Sequence, residues 1–114
     1  MTVISSLSRD LDIAQNSTFQ IALNLLGPDN LPFNLTGYTP KAQIRKTYQS
    51  AIIAQFDCHI ADYLSGRIYL AMTDEQTKVL PVGNCVYDVL LEDNTGNKFR
   101  ALEGNLTVSP YVTE

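Results

Sequence analysis

Apolar residues recur at every second position in short runs, and turn-forming residues interrupt the runs at near-even intervals. That pattern restricts the chain to an all-β fold. The clearest run is Thr18–Leu26, where Phe19, Ile21, Leu23 and Leu25 alternate with Gln20, Ala22 and Asn24. Successive side chains on a strand point to opposite faces, so the first set is directed toward a core. Tyr38–Lys46 repeats the pattern with Ala42 and Ile44, and Ala51–Cys58 with Ile52, Ala54, Phe56 and Cys58. Ile68, Leu70 and Met72 form a fourth such set, and Cys85, Tyr87, Val89 and Leu91 a fifth. Between them stand Gly27–Asn30, Asn34–Gly37, Ser65–Gly66, Pro81–Asn84 and Asp93–Asn97, all rich in residues that suit tight turns.

Leu11–Ile13 reads as a short first strand. Lys98–Glu103 and Asn105–Ser109 read as the last, broken at Gly104 by a bulge or kink. Gly37 is expected to supply a positive φ in its turn. Pro40 lacks a ladder donor and belongs at an edge or a strand start. A short helix is expected near 74–80. Thr73 and Gln76 fit a capping box, Asp74 and Glu75 suit the positive end, and Pro81 stops it. About seven or eight strands at this spacing predict an Ig-like antiparallel β-sandwich. The chain has no Trp, and its two cysteines lie too close in sequence for the bridge of antibody domains. The expected organisation is a flexible segment over 1–10, a sandwich over 11–110 and a tail over 111–114.

A net charge of −4 and the lack of a basic block argue against nucleic-acid binding. No run approaches the length of a membrane helix, and the first residues lack the basic start and apolar stretch of a signal peptide. The expectation is a soluble protein assembled in a cytoplasm, with Cys58 and Cys85 as reduced thiols. His59 is the sole histidine. It would point away from Cys58 on a strand, so a Cys–His dyad is poorly placed. Asp88 is an acid within an apolar strand, and a structural ion pair with Arg45 or Arg100 is its expected role. No nucleotide, calcium or metal motif is present, so the expectation is no catalysis, no cofactor and no metal. Tyr87 alternates with core residues and reads as structural. Tyr48 and Tyr63 lie near turns and are interface candidates.

Several segments together resemble small virion structural proteins of tailed bacteriophages. They are Ser17–Phe19, Asn34–Thr39, Ala42–Lys46, Gly66–Leu70, Val86–Val89 and Leu102–Pro110. In those proteins a "dLTGyt…aqiR" segment precedes "G.i.l", "YDvel" and a closing "leG.vtVsp.VT". The likeness runs from about Leu11 to Thr113 and extends to the Ig-like domain at the start of some phage baseplate upper proteins. One departure is the first hairpin, where such proteins often carry "rGd" and this chain has Ala14–Gln15–Asn16. The resemblance implies a non-enzymatic virion part of the tail, baseplate or neck. It would act through contacts with other virion proteins, in multiple copies of a symmetric assembly. Tyr111 and Val112, after Pro110, join the interface candidates. The alternatives are a capsid decoration protein and a carbohydrate-binding module.

Overall fold

The computed structural model describes residues 7–27 and 29–111. Among these, nine strands and one short helix follow in the order β1 (Leu7–Ser8), β2 (Leu11–Ala14), β3 (Phe19–Asn24), β4 (Thr39–Arg45), β5 (Ile52–Gln55), β6 (Asp57–Asp62), β7 (Arg67–Met72), α1 (Asp74–Lys78), β8 (Gly83–Glu92) and β9 (Lys98–Ser109). They form an all-β sandwich. One sheet runs β1-β9-β8-β4-β5, with β2 also on β9; the other runs β3-β7-β6. The expected alternation is realised where both faces differ. Ile68, Leu70 and Met72 of β7 and Cys85, Tyr87, Val89 and Leu91 of β8 are all buried between the sheets. Removing each such aliphatic side chain from water contributes about 1.5–3 kcal/mol, which is the main stabilisation of a fold this small.

Four features depart from the sequence reading. First, the apolar run at 51–58 is two strands. β5 pairs with β4 in one sheet and β6 with β7 in the other. Phe56 is the corner: its N–H bonds the Ala42 carbonyl at 3.0 Å, and its ring is buried against Phe19 and Tyr87. Second, β9 is unbroken, and its irregularity lies at Ala101. Val89 faces Leu102 and Leu90 faces Arg100, so Ala101 is the extra residue of a bulge. Ala101 and Leu102 are consequently both buried, although they are sequence neighbours.

Third, the first-strand region lies parallel to β9 while the rest of its sheet is antiparallel. Leu7 faces Leu102 and Leu11 faces Leu106. The constant offset makes β1 and β2 two halves of one edge, interrupted at Arg9–Asp10. Counted as one strand, they bring the total to eight. Among the described residues, Leu7 and Ser8 are already paired, inside the segment expected to be flexible over 1–10. Fourth, Gly104 does not kink β9. It makes room for the interruption, since a Cβ there would strike the backbone of Arg9.

Local chemistry explains the remaining turns. Gly37 has φ 87° with open space around it, as a turn of this kind requires. Asn34 accepts from the Thr36 N–H at 2.9 Å beside it. Pro40 is the second residue of β4, where β5 has not yet joined, so no partner on that side loses a donor. The helix covers Asp74–Lys78 and stops short of the expected residue 80. Its capping box is complete: Thr73 accepts from the Gln76 N–H and Gln76 accepts from the Thr73 N–H.

Candidate interaction surface

The strands run lengthwise, so the loops gather at two ends. At one end the 25–38 loop, the 62–66 turn and the 93–97 turn come together. Leu35 N–H bonds the Tyr63 carbonyl at 2.8 Å, Phe33 N–H bonds Leu25 at 3.0 Å, and Leu25 N–H bonds Gly66 at 2.8 Å. Phe33, Tyr38 and Phe99 make a chain of ring contacts there, the first pair tilted and the second edge-on, with ring centres 5.4 and 6.2 Å apart. Leu31, Tyr63 and Leu64 stand exposed on these laced loops. The Ser65 side chain foremost, with backbone N–H groups of the turn, holds Asp62 below the usual carboxylate range, and the Thr95 hydroxyl foremost, with backbone N–H groups of its turn, does the same for Asp93.

The other end carries α1, the 46–51 turn and the end of β9. Val79 and Val82 are exposed there, after the helix. Tyr111 is half-buried, with the Lys78 ammonium 5.7 Å from its ring centre. Val112 lies outside the described residues. Tyr48 is half-exposed in the 46–51 turn, and its hydroxyl lies 3.4 Å from the Gly104 carbonyl. Burial foremost, and then Glu103, push its pKa up. The interface candidates are thus not one patch: Tyr63 sits at one end, with Tyr48 and Tyr111 toward the other.

Of the residues expected to be structural, Tyr87 and Gly104 meet, while Gly37, Arg45 and Asp88 lie elsewhere. Tyr87 faces Gly104 across β8 and β9. Its hydroxyl donates to the Arg9 carbonyl, which occupies the space a side chain at 104 would fill. Burial raises the Tyr87 pKa to about 12. On the opposite face of β8, Asp88 meets Arg100 at 3.5 Å, and Arg100 meets Glu103 at 3.6 Å. Arg100 is therefore the partner of Asp88. Arg45 instead donates to the Ser50 carbonyl and closes its hairpin. The Asp88 network is half-exposed, so it contributes at most about 1 kcal/mol.

The residues weighed for chemistry stay apart. Cys58 packs toward the core while His59 faces solvent against Tyr69. Cys58 and Cys85 are free thiols. Burial foremost, with Asp57 beside it, pushes the Cys58 thiol up to about 12. Almost none of it is thiolate at pH 8, so alkylation of the folded protein at that pH is expected to be slower than of the urea-unfolded chain. Equal rates, followed by mass spectrometry, would contradict the burial described. Among the described residues no group of three His, Cys, Asp or Glu could hold a metal ion.

No family model and no curated protein matches this sequence. The fold is shared with the N-terminal domain of phage TP901-1 ORF48. The two superpose with a TM-score of 0.62 at 12% identity, over 91% of this chain and 94% of that one. CopC from Methylosinus trichosporium OB3b is a more distant likeness, with a TM-score of 0.46 at 14% identity over 90% of this chain and 88% of that one. At these identities the likeness speaks to architecture. The two share one fold over nearly the whole extent of both chains.

Proposed function

We propose that the protein is a non-enzymatic structural part of a tailed-phage virion, an adaptor or minor component of the tail, baseplate or neck. The observation that carries this reading is the near end-to-end fold correspondence with the phage ORF48 domain. The ordered segments from Asn34–Thr39 to Leu102–Pro110, which resemble phage virion proteins, support it independently of the fold. A structural role also suits what the side chains do. The titratable groups with strong partners serve turns and packing, as Asp62, Asp93 and Tyr87 do. The exposed apolar groups at both ends, Leu31, Tyr63 and Leu64 at one and Val79 and Val82 at the other, are suited to contacts with virion neighbours.

Quantitative mass spectrometry of gradient-purified particles of the encoding phage tests the proposal. The expected result is a constant copy number on the order of a dozen per particle, as a symmetric tail element would have. A copy number on the order of hundreds would favour capsid decoration instead. Absence from intact particles would overturn both.

A further inference from the structure

The outer face of the β3-β7-β6 sheet collects side chains that the fold leaves unused. Alternation along β7 sends Ile68, Leu70 and Met72 inward, so Tyr69 and Ala71 face outward. The register sets Gln20 on one side of Ala71 and Asp57 on the other. The short side chain of Ala71 leaves a hollow between these two longer neighbours. Gln55, just before the Phe56 corner, and Asp74 and Gln76 of α1 close the hollow at its end. The result is an open groove of about 650 Å³ with Phe56 and Met72 in its floor. That size falls within the range of about 300–1,000 Å³ typical of ligand sites.

The polar groups of this groove differ from those in the turns. Asp29, Asp62 and Asp93 each accept from backbone N–H groups. The side chains of Gln20, Gln55 and Asp57 make no hydrogen bond to any described residue, whereas those at its end are fixed in place. Gln76 gives its Oε1 to the Thr73 N–H, which orients its amide NH₂, and Asp74 Oδ1 accepts from the Glu75 N–H. The groove thus offers amides that both donate and accept, carboxylates that only accept, and no lysine or arginine in its lining. Arg67, farther along the same face, donates to Asn24.

This donor set selects by charge. Two carboxylates without a cation repel phosphates, sulfates and uronates. The groove is open to solvent and edged by amides and carboxylates, which a purely apolar ligand would leave unpaired. Neighbouring hydroxyls of a sugar both donate and accept, which matches a carboxylate set beside an amide. Tyr69, the next outward residue from Ala71 along β7, lies just beyond the groove lining, with its ring 5.5 Å from that of His59, where a sugar longer than the groove would meet it. We propose that this groove binds a neutral saccharide.

The test is a titration of the ¹⁵N-labelled full chain, followed by NMR, with glucose, galactose, N-acetylglucosamine and maltotriose, and with glucuronate and inorganic phosphate for comparison. At least one neutral sugar is expected to shift amides in residues 18–22, 55–57 and 69–76. Glucuronate and phosphate should bind at least about tenfold more weakly. Asp57→Ala should weaken the sugar by about tenfold, the effect of losing one charged hydrogen bond. Glu103→Ala, on the other sheet, should change nothing. Asp57 is exposed, and unshifted resonances outside the groove will show that its variant folds. Silence from every neutral sugar, equal binding of glucuronate, or an unchanged affinity in Asp57→Ala would each overturn the proposal. Particle composition does not bear on this result, so the two readings fail separately.

Discussion

Gly104→Ala is expected to destabilise the protein by about 2–4 kcal/mol, a large effect for a single methyl group. The added Cβ would land on the Arg9 carbonyl oxygen and lie 2.7 Å from the carbonyl carbon. Both are backbone atoms, so no side-chain rotation relieves the clash. The edge strand must move, and three bonds move with it. Arg9 N–H donates to the Glu103 carbonyl at 3.0 Å, the Arg9 carbonyl accepts from the Tyr87 hydroxyl, and Asp10 accepts from the Asn105 N–H at 3.1 Å. The Tyr87 hydroxyl is the costliest to strand, because its ring is 1% exposed and water cannot replace the lost acceptor. Urea unfolding measures the loss as a lower midpoint at unchanged slope. Hydrogen exchange should show the Arg9 amide losing protection first. A Gly104→Ala protein with the wild-type midpoint and a protected Arg9 amide would contradict the close approach described. Gly37→Ala is the useful contrast. Its φ of 87° strains a side chain, but nothing lies within 4 Å of the added atom. It should therefore cost about 1 kcal/mol, from backbone strain alone.

The same site shows what the sequence displays and what it hides. Gly104 stands out in a strand-forming run, so a special backbone requirement there is legible. Its cause is not, because Arg9 comes to it through a parallel register across 95 residues of chain. A period-two pattern tells which face of a strand is buried and says nothing of its partner. For that reason the faces of β7 and β8 were readable and the β1/β2 edge was not. Phe56 hid for a related reason. Ile52, Ala54, Phe56 and Cys58 keep their spacing straight through the corner, so the change of sheet leaves no break in the pattern. The bulge did leave a trace: Ala101 and Leu102 are adjacent apolar residues in an otherwise alternating strand, and such a doublet marks an extra residue. Tyr48 and Tyr63 are legible as interface candidates from their nearness to turns, but their distribution over two ends depends on the topology. The saccharide groove depends on the register that sets Gln20, Ala71 and Asp57 side by side. In sequence these three are separated by 37 and 14 residues or more, and each looks like an ordinary exposed position.

Phe56→Ala is expected to cost about 3–5 kcal/mol, the range for deleting a buried aromatic side chain. Phe56 is 6% exposed and stands where the chain leaves one sheet for the other. Its ring centre lies 5.8 Å from that of Phe19 on β3 and 6.2 Å from that of Tyr87 on β8, so it contacts both sheets at once. Removing it opens a cavity between them that neither sheet can close alone, because β5 and β6 are each fixed by ladder bonds. The loss should exceed that of Phe56→Leu, which keeps most of the volume and should cost about 1–1.5 kcal/mol. A corner role adds a second signature. If the residue only filled space, local exchange protection would fall evenly around the cavity. As the hinge between β5 and β6, it should loosen the short edge strand β5 first, raising exchange at Ala54 before Leu70 or Val89. Thermal or urea unfolding gives the magnitude, and exchange by NMR gives the order. An effect below about 1 kcal/mol for Phe56→Ala would mean that the sheets are joined elsewhere.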